Sequence, residues 1–283
     1  MYKLKKNIKI ITDGSCDFPK EIIDRVNPSI VGINVSFGEE SYIGGVEIDC
    51  ETFYNKMKKS KELPKTSSPS PERFIKLYDC EEDELLVFTL TSKLSSTYSN
   101  AVLAKNMYLE QNPNKRIEVI DSQSGSIGVA LMILKCNELI ENGKTMDEIL
   151  ESIDKFKKEI VFFGALDTLE NAIKGGRVNP IAGRLINALN FKVIIRIEDG
   201  IVKPIDKARG GSNSLKKALE YVQNNISGHN KTMIIAHANC PEKAEKIKQF
   251  VEENANLKEI LISEIGPIMG TFTSEGAILV SVL

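Results

Sequence analysis

Four short segments concentrate the side chains able to do chemistry. Thr12-Asp13-Gly14-Ser15-Cys16-Asp17, Lys65-Thr66-Ser67-Ser68-Pro69-Ser70-Pro71, Thr91-Ser92-Lys93-Leu94-Ser95-Ser96-Thr97 and Asp121-Ser122-Gln123-Ser124-Gly125 are all rich in hydroxyls. Hydroxyls donate hydrogen bonds, and a helix opening beside them adds backbone N–H groups and partial positive charge. Such segments therefore favour an anion, either a phosphate or a carboxylate. Ser, Thr and Asp also serve as ordinary caps and turn formers, so no single segment establishes a site. Nucleotide binding lacks its signatures, since neither GxxxxGK[ST] nor GxGxxG occurs. Nor is there a GxSxG nucleophile turn, because Ser122-Gln123-Ser124-Gly125 misses the first glycine. Only His229 and His237 could serve as a histidine base. His229 sits in a polar loop and reads as solvated, and His237 ends a strand with no paired nucleophile. In Gly175-Gly176-Arg177 the first glycine reads as a helix stop, which leaves Arg177 in an exposed loop as a contact for a partner or a ligand.

Three of these segments follow β-branched runs, at Ile8 to Ile11, Leu85 to Leu90 and Ile117 to Ile120. Ligands of open α/β sheets bind outside the carboxyl ends of strands, where these segments lie. Ser29 to Val35 reads as a further strand, Asp17 with Pro19 as the cap of a helix to Val26, and Asp49 as the cap of a helix through Lys59. Helices are expected over Ser96 to Glu110 and over Ser126 to Glu141, the latter unusually apolar. The alternation predicts a mostly parallel, helix-covered sheet. Thr145-Met146-Asp147-Glu148 is a capping box opening a helix to Lys158, and that helix is the expected connector between domains 1–158 and 159–283. Beyond it the pattern changes. Lys192 to Ile197, the turn Asp199-Gly200 and Ile201 to Ile205 read as an antiparallel hairpin. Helices over Ser212 to Asn225 and Glu242 to Glu252, with strands at Thr232 to Ala236, Glu259 to Ser263 and Ala277 to Leu283, complete a mixed α+β domain.

A chain of 283 residues suffices for two modest domains. With 37 basic and 39 acidic residues it has no broad field to attract a nucleic acid. The apolar run Ile8 to Ile11 is too short for a signal peptide, and no window approaches the roughly 20 apolar residues that span a bilayer. Five cysteines stand singly, as free thiols do in a reducing compartment. A cytoplasmic protein without an integral membrane segment is expected, with neither metal nor cofactor.

Taken in order, the segments resemble the DegV family. Ile11-Thr12-Asp13-Gly14-Ser15-Cys16-Asp17-Phe18-Pro19 is similar to its opening TDSTADLP motif, and Lys65 to Pro71 resembles KTSQPSP. Leu90 to Ala101 resembles LSSGLSGTYQSA, Asp121-Ser122 with Gly125 and Gly128 resembles the VIDS segment, and Gly175-Gly176-Arg177 resembles GGRIS. Ile265-Gly266-Pro267 and Gly270 to Ala277 resemble the closing iGPvigtHtGPGa. The resemblance implies a long-chain fatty acid in an apolar tunnel between two domains, its carboxylate held by Thr66 and Ser95. It also implies a separate ATP-dependent fatty-acid kinase as partner, which makes the acyl phosphate, so the carrier itself is no enzyme. The alternative is a phosphotransferase or hydrolase acting on a small carboxylate or phosphate, with Thr66, Ser95 and His237 as its groups. Three positions depart from the family pattern. Ser96 stands for a glycine and adds a hydroxyl near the head group, Phe272 stands for the histidine expected near the carboxylate, and Glu275 stands for a proline.

Overall fold

The computed structural model describes residues 8–179, 191–225 and 230–283, so His229 lies outside the described residues. In chain order the first half holds β1 (Ile8–Asp13), α1 (Lys20–Val26), β2 (Ser29–Val31), β3 (Asn34–Phe37), β4 (Glu40–Ile43), α2 (Cys50–Lys59), β5 (Lys65–Ser67) and α3 (Pro71–Tyr78). It continues with β6 (Glu84–Thr89), α4 (Thr97–Leu109), β7 (Arg116–Asp121), α5 (Ser126–Glu141) and α6 (Met146–Glu159). The second half holds β8 (Val161–Leu166), α7 (Glu170–Lys174), β9 (Phe191–Glu198), β10 (Ile201–Arg209), α8 (Gly211–Asn225), β11 (Thr232–His237), α9 (Pro241–Asn254), β12 (Glu259–Glu264), α10 (Pro267–Thr273) and β13 (Ile278–Val282).

The strands form a parallel sheet β2-β1-β6-β7, a mixed sheet β10-β9-β8-β13-β11-β12 and a small antiparallel sheet β4-β3-β5. This is the expected mostly parallel α/β arrangement followed by a mixed sheet. Helix α5 holds the layers together. Its residues Ser126 to Leu134 are all buried, and it packs on β1 and β6 on one side and on β11 and β13 on the other. A helix apolar on every face is stable only where both faces are covered, which explains its Leu, Ile and Met content. Ends are fixed by side chains: Asp49 accepts from the Thr52 amide at 2.7 Å, and Thr145 and Glu148 close the capping box at 3.2 and 2.7 Å.

Two expectations are corrected. Ser29 to Val35 is not one strand: β2 pairs with β1, whereas β3 turns away to pair with β4 and β5. The turn falls at Gly32, where an added Cβ would come within 2.4 Å of Ile43 Cγ2, so only glycine lets the chain pass. Asp17 does not cap α1, since Pro19 holds that position. Its carboxylate is buried instead, accepting from the Ser126 hydroxyl and from the Gly266 amide at 2.8 Å, while its carbonyl accepts from Ser263 at 3.0 Å. Asp17 thus ties the first segment of the chain to β12 and to the start of α10, and burial pushes its carboxyl up to about 7.

Candidate functional site

The loop from Leu90 to Ser96 is held in its first half by carboxylates at strand termini. Asp13, at the end of β1, is buried and accepts from the Leu90 amide at 2.8 Å and from the Ser15 amide at 2.9 Å. Asp121, at the end of β7, accepts from the Ser92 amide at 3.1 Å and from the Ser92 hydroxyl. The Thr91 amide donates to the Ser124 carbonyl at 2.8 Å. The first and fourth hydroxyl-rich segments therefore act as scaffolding for the third. Burial raises the Asp13 carboxyl, against the hydrogen bonds from Ser15 and Leu90.

So fixed, the loop presents Ser95 and Ser96 to the segment Thr66 to Ser68, where β5 adds to β3 through the pair Val35 and Thr66. Strand β5 has no signature in the sequence, because three residues are too few to show a period of two. The Ser96 hydroxyl meets that of Ser68 at 2.6 Å, Ser95 meets the Thr97 hydroxyl at 2.8 Å, and Asn100 donates to the Pro69 carbonyl at 2.9 Å. Thr66 has no side-chain hydrogen bond among the described residues. Ser96 occupies the N-cap of α4 without bonding its amides, so the start of that helix adds its own polarity to the cluster.

These hydroxyls line one end of a cavity of about 260 Å³. The remainder is mostly apolar: Leu90 and Leu94 from the loop, Phe162 and Leu166 from β8, Ile195 and Ile197 from β9, Val202 from β10 and Leu279 from β13. Alternate residues of a strand share a face, so Phe162, Gly164 and Leu166 point to the same side. Gly164 leaves the middle of that row bare. A Cβ there would come within 2.7 Å of Leu279 Cδ2 and 3.1 Å of Ile195 Cγ1. These lining residues are the part that sequence reasoning missed; their strand alternation was visible, but it reads the same for a filled core.

Arg177 also lines the hydroxyl end and is half-buried, where an exposed loop was expected. Its Nε donates to the Leu94 carbonyl at 3.2 Å and its Nη1 to the Gly175 carbonyl at 2.5 Å. The guanidinium lies over the Phe272 ring, 4.8 Å from its centroid, and no carboxylate pairs with it among the described residues. Gly175 holds the C-cap of α7, as expected, and Gly176 follows it in the left-handed conformation at φ +75°, with the Gly176 and Arg177 amides bonding back to the Ile173 and Ala172 carbonyls at 2.9 and 2.8 Å. A second contact also favours glycine at 175. An added Cβ would stand 2.6 Å from the Phe272 ring.

The family model described as "Uncharacterised protein, DegV family" matches residues 7–283. The chain belongs to the DegV family. A DegV domain-containing protein of Clostridium perfringens is 32% identical over 250 residues, covering 87% of this chain and 88% of the relative. A solved DegV-family protein from Ruminococcus gnavus, described with vaccenic acid, superimposes with a TM-score of 0.89 at 28% identity, covering 98% of this chain and 99% of that one. Bacillus subtilis DegV, described as a fatty acid binding protein, gives a TM-score of 0.85 at 28% identity with the same coverage.

Against the DegV pattern, Phe272 supplies a π face where the family has a histidine donor, and it occupies that face with Arg177. Glu275 points outward, pairing with Lys58 at 2.8 Å and accepting from Asn239 at 2.6 Å. His237 is not among the cavity residues, and its Nδ1 accepts from the Cys240 amide at 3.4 Å. Burial lowers its pKa. Thr66, Ser95 and His237 are therefore not brought together, so the geometry does not assemble the enzyme alternative.

Proposed function

We propose that this DegV protein binds one long-chain fatty acid in the cavity between residues 1–158 and 159–283. Its carboxylate lies among Thr66, Ser95 and Ser96, with Arg177 alongside, and is presented to a separate ATP-dependent kinase in the cytoplasm. The chain itself performs no catalysis. One observation carries this reading: hydroxyls and an arginine that has no acidic partner among the described residues gather at one end of a cavity that is otherwise mostly aliphatic and aromatic. The tail dominates the energetics, because at about 0.8 kcal/mol per methylene a palmitoyl chain offers on the order of 12 kcal/mol before ordering costs. The head group needs only orientation. Neutral hydroxyls orient a carboxylate yet leave one oxygen open to phosphorylation, which a bidentate arginine clamp would not. The exposed position of Ser96 puts this end at the surface, where a second protein could reach it.

No helix of the described residues is long and apolar enough to cross a membrane. Organic extraction of purified protein followed by mass spectrometry is expected to yield one fatty acid per chain. An extract without lipid, together with no binding of added palmitic or oleic acid in titration, overturns the reading.

A further inference from the structure

The cavity has a far end, and the strand register locates it. Phe162 and Leu166 both line the cavity and stand four residues apart on one face of β8, roughly 13 Å at the usual rise, with Leu166 at the strand end that leads into α7 and Arg177. Phe163 pairs with Arg196 and Ile197 with Val202, so Phe162, Ile197 and Val202 form one row across β8, β9 and β10. Behind this row lies a second depression of about 530 Å³, a polar groove lined by Ser124, Asp154, Lys157, Arg196 and Glu198. Among the described residues, Phe162 and Ile197 alone line both spaces. Phe162 is 3% exposed, and its ring rests against Gly128, where an added Cβ would meet it at 3.2 Å.

We infer that Phe162 and Ile197 form an end wall that sets the longest acyl chain the cavity accepts. This rests on the fatty-acid reading above and adds the residues that select among fatty acids. Each methylene placed before the wall leaves water for an apolar lining. A methylene beyond it enters a groove of lysine, arginine and carboxylate side chains, where burial gains nothing and displaces hydrated charge. Affinity therefore climbs with chain length up to the wall and then breaks off. Replacing Phe162 by a smaller apolar residue moves the wall outward, and enlarging Ile197 moves it inward.

The test titrates the full-length protein, stripped of lipid, with myristic, palmitic, stearic, arachidic and behenic acids. In the parent, binding is expected to tighten about fourfold per methylene up to one length and then weaken. Phe162→Leu is expected to carry the rise to the next longer acid, and Ile197→Phe to stop it one acid earlier. Ile197 is half-buried near the hairpin turn, so its variant folds even if the substitution at Phe162 does not. Opposite shifts, or the Ile197→Phe shift alone where Phe162→Leu fails to fold, support the wall. Folded variants that bind but keep the parent's break point overturn it. A parent that binds none of the acids instead overturns the fatty-acid reading itself, so the two failures are distinct.

Discussion

At the hydroxyl end of the cavity the lining side chains hang on loops, whereas at the far end they stand on paired strands. Ser95 and Ser96 keep their places because Asp13 holds Leu90 and Asp121 holds Ser92, and because Asp17 ties the first segment to the start of α10. Phe162, Ile197 and Val202 keep theirs through the ladder of β8, β9 and β10. The difference lies in what can disturb each end. A ladder of backbone hydrogen bonds neither titrates nor depends on any one side chain, so the far end responds to volume alone. The hydroxyl end depends on a few buried carboxylates, so it responds to pH and to single polar substitutions.

The largest expected effect follows from Asp17, whose carboxyl is pushed up to about 7 by burial. In the unfolded chain it titrates near 4, so between about pH 4 and 7 the folded protein holds a proton that the unfolded chain has lost. Its contribution is complete below pH 4, declines through that window and is gone above 7, amounting to about 4 kcal/mol over the range. Asp17→Asn cannot ionise yet can still accept from Gly266 and pair with Ser126. Urea melts of parent and variant at pH 5 and pH 8 are expected to show the parent losing stability relative to the variant as pH rises. Parallel stability curves would mean that this carboxylate is not the titrating link.

Next in size is the head-group contact itself. Thr66→Ala and Ser95→Ala are each expected to weaken fatty-acid binding by about 1.5 to 3 kcal/mol, as for hydrogen bonds to a charged group. They differ in stability. The Thr66 side chain has no hydrogen-bond partner among the described residues, so its loss leaves the melt within about 0.5 kcal/mol, whereas Ser95 also bonds Thr97 and its loss costs about 1 kcal/mol. Titration with a fluorescent fatty acid, paired with urea melts, separates the two. Undiminished binding by both variants would remove the carboxylate from this end.

The contrast between the ends also explains what was legible in the sequence. The parallel sheet, α5 and the β9–β10 hairpin follow from long periodic runs, which carry enough residues to declare a period. Sheet β4-β3-β5 does not, since strands of three and four residues between glycines and hydroxyls carry no readable pattern. The hydroxyl segments stood out by composition, but composition could not say which of them touch a ligand. Asp13 and Asp17 sit in one motif with Ser15, and both turned out to be buried anchors. Phe162 and Ile197 were illegible for a deeper reason. A cavity is an absence of contacts, and the residues around it obey the same apolar alternation as those of a filled core.

The smallest expected effect concerns Arg177 and Phe272, where this chain departs from the DegV histidine. The guanidinium lies 4.8 Å from the ring centroid and is held at its other edge by the Leu94 and Gly175 carbonyls. A partly desolvated cation over an aromatic face gains about 1 kcal/mol, and Gly175 keeps the ring in place by leaving it room. Phe272→Leu keeps apolar bulk and removes the π face, so Arg177 loses orientation and fatty-acid affinity falls by about 1 kcal/mol, close to fivefold. Arg177→Ala removes the charge as well and is expected to cost slightly more. If the ring acts only by positioning the guanidinium, Phe272→Leu adds nothing once Arg177 is gone, and the double variant binds as Arg177→Ala does. Additive losses would mean instead that Phe272 touches the ligand independently. An Arg177→Ala variant with parental affinity but impaired acyl-phosphate formation, given a kinase and ATP, would move this arginine from the ligand to the partner.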